Sequence, residues 1–154
     1  MSFVEKALEF ATRAHAGQVD KGGKPYIGHP IRVAARVEGD VARAAAYLHD
    51  VIEDCGVTWE QLEMEGIPAE VIEAVIALSR REGETYKNFI ERIAGNPVAV
   101  EVKLADLADN SDPGRLPPDP EMRRKWEEMV RKRYVPARDR LLRAQEAHRN
   151  RRRQ

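Results

Sequence analysis

Apolar residues recur at steps of three and four along almost the whole of this 154-residue chain. Val4, Ala7, Leu8 and Ala11 show the spacing near the start, and it returns through the middle of the sequence. At 3.6 residues per turn, such positions share one face of a helix. No run alternates apolar and polar residues as a half-buried strand does. The sequence therefore predicts an all-α, bundle-like domain.

Glycine and proline clusters divide this pattern into separate helices, because both residues disfavour a continuing helix. Gly22-Gly23-Lys24-Pro25 and Gly95-Asn96-Pro97 are typical of such turns. The helices are predicted near residues 2–16, 30–38, 40–54, 59–65, 68–81, 85–94, 97–111 and 120–148.

The length fits one domain, and a content of 42% hydrophobic and 34% charged residues is ordinary for a protein dissolved in water. We expect a single domain over residues 1–150 and a short basic tail over residues 151–154. No stretch is apolar for the length of a membrane span, and the first residues lack a signal-peptide pattern. The single cysteine, Cys55, excludes an internal disulfide. These features predict a cytoplasmic protein without a membrane partner.

Charge is distributed unevenly although the formal net charge is zero. Residues 115–154 hold 14 Lys and Arg against 6 Asp and Glu, whereas residues 1–114 hold 12 against 20. The tail Arg149-Asn150-Arg151-Arg152-Arg153 could contact nucleic acid through its charge. No aromatic residue is interleaved there for base stacking, so we favour a solvated or frayed terminus and expect no nucleic-acid partner.

The segment from His49 to Asp54 crowds four metal-binding or proton-accepting groups into little more than one helical turn. At about 100° per residue, His49, Asp50, Glu53 and Asp54 fall within one arc of the helix, with apolar residues on the opposite arc. Imidazole nitrogen and carboxylate oxygen both suit first-row divalent metals. We therefore interpret His49 and Asp50 as one half of a metal site, with Glu53 and Asp54 placed one turn further on to act on a water.

His29 is the first candidate to complete that site. It precedes Pro30, which is tolerated in the first turn of a helix because an N–H there has no intrahelical partner. Alone, His29 would more often be a cap or a surface residue. Beside His49 and Asp50 a ligand is favoured, since a mononuclear site needs more than two protein ligands.

Asp106 is the second candidate. It shares a helical stripe with Lys103 and Asn110, next to an apolar stripe. A carboxylate so close to a hydrophobic surface requires a partner. A metal or a basic residue would serve equally, and Lys103 could be that residue through an i,i+3 ion pair.

Four motifs follow one another along the chain. They are Ala14-His15-Ala16-Gly17-Gln18, Lys21-Gly22-Gly23-Lys24-Pro25-Tyr26-Ile27-Gly28-His29-Pro30, Leu48-His49-Asp50-Val51-Ile52-Glu53-Asp54 and Val102-Lys103-Leu104-Ala105-Asp106-Leu107-Ala108-Asp109-Asn110. In order and spacing they resemble the hydrolase domain of the RelA/SpoT proteins, which belong to the HD phosphohydrolase superfamily. The resemblance runs from about residue 3 to residue 112. The chain is too short to add that family's synthetase domain, so it looks most like the small stand-alone alarmone hydrolases of the metazoan SpoT-homologue type.

The resemblance implies an all-α HD-domain helical bundle with one Mn²⁺ as cofactor. By residue-by-residue correspondence, the ligands of that ion are His29, His49, Asp50 and Asp106. Such an ion acidifies water and screens phosphate charge.

The same resemblance implies roles for four more residues. Glu53 and Asp54 match the acidic pair that positions or deprotonates the attacking water, and Lys21 and Asn110 match substrate-contacting positions. The implied reaction removes the 3′-pyrophosphate of the nucleotide ppGpp or pppGpp, giving GDP or GTP and pyrophosphate. A carboxylate suits proton transfer and a lysine suits a phosphate.

The sequence departs from the family in the loop before Pro25, where many members carry an Arg-Lys pair and this chain has Asp20-Lys21. We therefore expect weak discrimination between guanosine and adenosine 3′-pyrophosphates, or else an Asp20 that points into solvent. Two other functions stay open: hydrolysis of another nucleotide such as ppApp, a dNTP or NADPH, and a non-catalytic nucleotide-binding module. Association into a homo-oligomer is also left open.

Overall fold

The computed structural model describes residues 1–115 and 117–154, and every regular element within these residues is helical. A lone bridge joins Val19 to Pro25. The predicted all-α class is confirmed. The elements are α1 Phe3–Ala14, α2 Gly28–Ala34, α3 Asp40–Leu48, α4 Val51–Cys55, α5 Trp59–Met64, α6 Ala69–Ala77, α7 Tyr86–Ala94, α8 Pro97–Asn110, a 3₁₀ turn Pro113–Arg115, α9 Pro120–Met129, a π-helical segment Val130–Tyr134 and α10 Val135–Arg152.

Two helices, α3 and α8, form the centre of the bundle. Helix α3 packs against α1, α2, α6 and α8, and α8 also packs against α7 and α10. Small side chains let neighbouring helix axes approach closely, and α3 buries four alanines in this way: Ala42, Ala44, Ala45 and Ala46. The ends of these two helices, together with the start of α2, carry the candidate site. Among the described residues, no helix has both the length and the apolar character needed to cross a bilayer.

The single helix predicted over residues 40–54 is wrong. Helix α3 ends at Leu48, His49 and Asp50 form a turn, and α4 begins at Val51. The His49 N–H bonds the Ala46 carbonyl with i−3 spacing, and the His49 ring bonds the same oxygen. This tightens the last turn, so His49 and Asp50 do not share one continuous helical arc with the residues of α4.

Other helix boundaries also differ from the prediction. Helix α2 starts at Gly28, so Pro30 is its third residue and not its first, still within the turn where a missing N–H is tolerated. Helix α6 ends at Ala77, four residues before the predicted end. The C-terminal helix runs to Arg152, past the predicted end at residue 148.

The C-terminal helical stretch widens into π-helix at Val130–Tyr134, just before Pro136. Proline has no N–H to donate and its ring crowds the preceding turn. A π-bulge accommodates such a residue without ending the helix. Arg149 and Arg152 lie on this helix with exposed side chains, which agrees with a solvated terminus.

Arg92 fixes the segment that follows α6. Its guanidinium donates to the carbonyls of Ile76 and Ala77 at 3.1 Å and of Ser79 at 2.7 Å. It also makes a bidentate pair with Glu84 at 3.0 and 2.9 Å, which lowers the pKa of the Glu84 carboxyl to about 2. One side chain thus bonds three carbonyls at and just beyond the end of α6, where intrahelical N–H partners run out.

We expect Arg92→Lys to lower the free energy of unfolding by about 2 to 4 kcal/mol, because an ammonium cannot span these acceptors and several charge-assisted bonds are lost. Urea denaturation measures the change. Arg131→Lys, at an exposed arginine on the π-helical segment, is the matched control and should change stability by less than about 0.5 kcal/mol. Equal stability of the two variants would contradict the capping role.

Candidate metal centre

Four side chains predicted as metal ligands converge in one buried cluster. His29 comes from the first turn of α2, His49 and Asp50 from the turn after α3, and Asp106 from α8. His29 Nε2 lies 2.8 Å from Asp106 Oδ1 and 4.0 Å from Asp50 Oδ2. His49 Nε2 lies 3.1 Å from Asp50 Oδ2 and 3.4 Å from Asp106 Oδ1. One ligand atom each from His29, His49 and Asp50 falls within 4.8 Å of the others.

The hydrogen bonding of the His49 ring indicates that these four side chains fit a cation. Its Nδ1 donates to the Ala46 carbonyl at 2.6 Å, which leaves Nε2 with the lone pair. That Nε2 is buried and has no hydrogen-bond partner among the described residues. A buried polar atom without a partner is costly, and a divalent ion would satisfy it. Two imidazoles and two carboxylates form a donor set that first-row divalent metals accept.

Electrostatic coupling within the cluster sets a competition between a proton and a cation for His49 Nε2. Burial alone would lower the pKa of His49, but Asp50 and Asp106 outweigh it and raise that pKa. Burial would raise the pKa of Asp106, yet Lys103 and the two histidines hold it well below the usual range. Beside His49 the pKa of Asp50 is likewise lowered, to about 2, so both carboxylates stay ionised, and a cation would displace a proton from His49.

Asp109, which the sequence analysis left without a role, orients His29. Its Oδ2 accepts from His29 Nδ1 at 2.6 Å, and its side chain is fully buried. Arg32 Nε at 2.9 Å and Arg115 Nη1 at 2.6 Å neutralise the carboxylate. A carboxylate on the far nitrogen fixes the imidazole tautomer and turns Nε2 towards the cluster. The i,i+3 spacing of Asp109 from Asp106 is the sequence signal that could have revealed it.

We expect Asp109→Asn to weaken metal binding by about 10- to 100-fold, because an amide orients the imidazole less firmly and adds less basicity. Calorimetric titration of the metal-free protein with Mn²⁺ measures this. Asp112→Asn removes the same charge from a residue whose carboxylate caps Gly114 and is the control. If both variants bind Mn²⁺ like the wild type, the orienting role is wrong.

Asp106 has the basic partner that the sequence left open, and its second oxygen faces the cluster. Lys103 Nζ bonds its Oδ2 at 2.7 Å, so the predicted i,i+3 ion pair is present. Its Oδ1 faces the two histidines and also accepts from Asn110 Nδ2 at 3.2 Å. Asn110, a predicted substrate contact, is half-buried beside the cluster, and its Oδ1 accepts from Arg115 at 3.3 Å.

Tyr26 is a second residue that sequence reasoning missed. Its hydroxyl donates to Asp50 Oδ2, and its ring lies 5.8 Å from that of His29 between centroids. Burial and the Asp50 charge raise the pKa of Tyr26, so the hydroxyl stays protonated as a donor. Tyr26 thereby orients Asp50 as Asp109 orients His29.

Glu53 and Asp54 lie on α4 with exposed side chains. The Glu53 carboxylate accepts from the Arg80 backbone N–H at 2.7 Å, which ties α4 to the segment held by Arg92. Desolvation, with repulsion from Asp50 and Glu53, raises the pKa of Asp54 to about 6. A carboxylate with a pKa close to neutral suits general-base chemistry.

Lys21 is exposed in the loop between α1 and α2. Asp20 shapes that loop, because its Oδ1 accepts from the backbone N–H groups of Gly22 at 2.9 Å and Lys24 at 3.0 Å. The carboxylate therefore has a local structural role, with one oxygen engaged in the turn.

Comparison with known proteins decides the family. A family model described as HD domain matches residues 7–92, more than half of the chain. The chain belongs to the HD domain family. The match includes His29, His49 and Asp50 and ends before Asp106.

Two curated relatives place this HD domain among larger proteins. A guanosine-3′,5′-bis(diphosphate) 3′-pyrophosphohydrolase of Aquifex aeolicus is 32% identical over 119 residues, 70% of this chain and 17% of that protein. A probable GTP pyrophosphokinase of Mycobacterium leprae is 35% identical over 139 residues, 80% of this chain and 17% of that protein. The chain thus spans about a sixth of the length of these relatives.

A solved structure shares the fold over nearly the whole length. It is described as a metazoan ortholog of SpoT that hydrolyses ppGpp and plays a role in starvation responses. The TM-score is 0.67 with 23% identity, and the alignment covers 96% of each chain. The likeness confirms the predicted HD-domain architecture.

Proposed function

We propose that this HD domain hydrolyses ppGpp and pppGpp at the 3′-pyrophosphate, releasing GDP or GTP and pyrophosphate, with Mn²⁺ as its metal. The observation that carries the proposal is the buried cluster of two histidines and two carboxylates with an unpartnered His49 Nε2. The names of the relatives support the substrate, since one is a guanosine-3′,5′-bis(diphosphate) 3′-pyrophosphohydrolase. The cytoplasmic location expected from the sequence stays a prediction.

In this proposal the surroundings of the cluster divide the work. A divalent ion held by His29, His49, Asp50 and Asp106 would acidify a water and screen phosphate charge. Asp54, with its pKa raised to about 6, accepts the proton of the attacking water. Glu53 and Asp54, the two residues assigned to proton transfer, lie on α4. This helix begins at Val51, directly after the ligands His49 and Asp50.

Substrate contacts come from two sides of the cluster. Lys21 is exposed on its loop and can bind a phosphate as a point charge. Asn110 shares a stripe of α8 with Asp106, so its amide borders the place where the 3′-pyrophosphate would lie. The loop that carries Lys21 and helix α8, which carries Asn110, would thus hold the substrate from two sides of the metal cluster.

A release assay with a nucleotide panel tests the function. With Mn²⁺ we expect pyrophosphate from ppGpp and pppGpp, and little or no product from dGTP or NADPH. His49→Ala is the matched inactive control. Turnover of dGTP or NADPH alone would support the wider phosphohydrolase alternative, and binding of ppGpp without turnover under any metal would support a non-catalytic module. Replacing Mn²⁺ with Mg²⁺ or Zn²⁺ in the same assay tests the choice of metal.

Asp20→Ala should raise KM for ppGpp by about 3- to 10-fold, because losing two backbone hydrogen bonds worth about 1 kcal/mol each loosens the loop that presents Lys21. Steady-state kinetics with Mn²⁺ measures this. Asp20→Asn keeps the accepting oxygen and should behave like the wild type, so an equal rise in both variants would point to charge instead of loop shape. The expected weak preference between ppGpp and ppApp is read from the same assay and would be wrong if Asp20→Arg left a large guanine preference unchanged.

A further inference from the structure

A groove on the opposite side of α8 is not used by the proposed reaction. It lies between α8, the end of α10 and the α2–α3 connection, and its volume is about 720 Å³. Small-molecule sites commonly have volumes of about 300 to 1,000 Å³. At about 100° per residue, Leu104 and Ala108, which line this groove, lie on the other face of α8 from Asp106. The groove is therefore separate from the metal cluster.

Three arginines, Arg36, Arg149 and Arg152, line the groove. All three are exposed, and across residues 1–115 and 117–154 none of them pairs with a carboxylate. Elsewhere arginines find partners, as Arg92 does with Glu84 and Arg140 with Glu91. Two carboxylates, Glu38 and Glu101, also line the groove, so the three guanidinium groups leave a net positive charge there that favours an anion.

The end of α10 is held in place over the groove. His148 Nε2 bonds the Ala94 carbonyl at 2.8 Å, and Arg140 makes a bidentate pair with Glu91 at 2.8 Å for each bond. Both contacts fix α10 to α7. Arg149 and Arg152 are consequently presented by an anchored helix and not by a loose terminus.

The other residues that line the groove differ from those expected at a site for a phosphate ion alone. Leu104, Ala108 and Pro97 supply apolar surface beside the arginines. Glu38 also lines the groove, and its backbone N–H donates to Glu101 at 2.8 Å. The Glu38 carboxylate has no hydrogen-bond partner within the described part of the chain. It would repel a simple anion but can accept N–H groups from a nucleobase.

We propose that this groove binds a nucleoside diphosphate, with the phosphates on Arg36, Arg149 and Arg152 and an amino-bearing base against Leu104 and Ala108. Guanine offers two adjacent N–H donors that match the two oxygens of the Glu38 carboxylate. The arginines, the apolar wall and the carboxylate each bind a different part of such a ligand. The site goes beyond the proposed hydrolysis, since it uses none of the residues assigned to that reaction.

GDP is the probe, because it lacks the 3′-pyrophosphate and is not turned over by the proposed reaction. We expect saturable calorimetric binding of GDP to the full-length, Mn²⁺-loaded chain, and at least 10-fold weaker binding to Arg149→Ala/Arg152→Ala. Arg131→Ala/Arg143→Ala changes the net charge equally at exposed positions outside the groove and should leave GDP affinity within about twofold. Both double variants should retain wild-type ppGpp hydrolysis.

Glu38→Ala separates a nucleotide from a bare anion. It should weaken GDP binding at least fivefold and leave the binding of inorganic pyrophosphate unchanged or stronger. Three results overturn the proposal: no GDP binding at millimolar concentration, equal losses in both arginine double variants, or pyrophosphate binding as tightly as GDP with Glu38→Ala without effect. Tight binding of a single-stranded RNA that GDP does not displace would also overturn it, in favour of a polynucleotide surface.

Discussion

Replacing His49 with alanine should abolish the tight binding of one Mn²⁺ per chain and, with it, all ppGpp hydrolysis. His49 Nε2 is the buried, unpartnered nitrogen of the cluster, between Asp50 and Asp106. Without His49 the cluster keeps only three of its four ligands for Mn²⁺. We expect the affinity for Mn²⁺ to fall by at least about 100-fold, comparable to the largest effects of altering the residues that support metal ligands. Metal analysis after dialysis, followed by titration with Mn²⁺, gives both stoichiometry and affinity.

His148→Ala is the matched control, because His148 bonds the Ala94 carbonyl at the far end of α7. It should keep one Mn²⁺ per chain. The metal-free His49→Ala protein should still fold, since the core is built from apolar contacts between α1, α3, α6 and α8. Stoichiometric, tightly held Mn²⁺ in His49→Ala would show that the four residues are not the ligand set.

The sequence was sufficient to predict which residues meet in the cluster. His29, His49 and Asp106 are separated by up to 77 positions, yet each lies in a motif whose order resembles a known family. Apolar spacing also predicted the helices, because burial of one face is a local property of the sequence. The full ligand set was implied by the resemblance to that family, whereas the helices followed from residue spacing alone.

The local geometry at His49 could not be predicted in this way. Apolar periodicity continues from α3 into α4, so the pattern favours one helix. The break depends on the His49 ring bonding the Ala46 carbonyl and on the tertiary contacts of Asp50 with Tyr26. Periodicity does not report side-chain hydrogen bonds that compete with the helix.

The orienting role of Asp109 and the contact of Glu53 with the Arg80 N–H escaped prediction for a related reason. Asp109 is recognisable only once His29, Arg32 and Arg115 surround it. Glu53 has the residue type of a general base, but the structure engages its carboxylate with the Arg80 N–H. Sequence spacing gives the face of a helix, while the partner on that face comes from another element.

Asp54→Asn should lower kcat for ppGpp by about 10²- to 10⁴-fold and leave Mn²⁺ stoichiometry unchanged, because a general base is removed while the four ligands stay. Glu53→Gln should also lower kcat. Its amide oxygen can still accept from the Arg80 N–H, so its stability should match the wild type. Comparing kcat, metal content and urea denaturation in the two variants separates chemistry from folding.

The pH dependence gives the same prediction a second observable. Asp54 acts as a base only when ionised, and its raised pKa of about 6 means that protonation removes the active form as the pH falls through that value. The value of kcat/KM should therefore decline on the acid side, tenfold per pH unit below the pKa. A cation bound nearby favours the carboxylate, so the decline with Mn²⁺ belongs at or below pH 6. Near wild-type hydrolysis by Asp54→Asn, with an unchanged acid limb, would exclude Asp54 as the base and leave Glu53 as the only member of the pair to test.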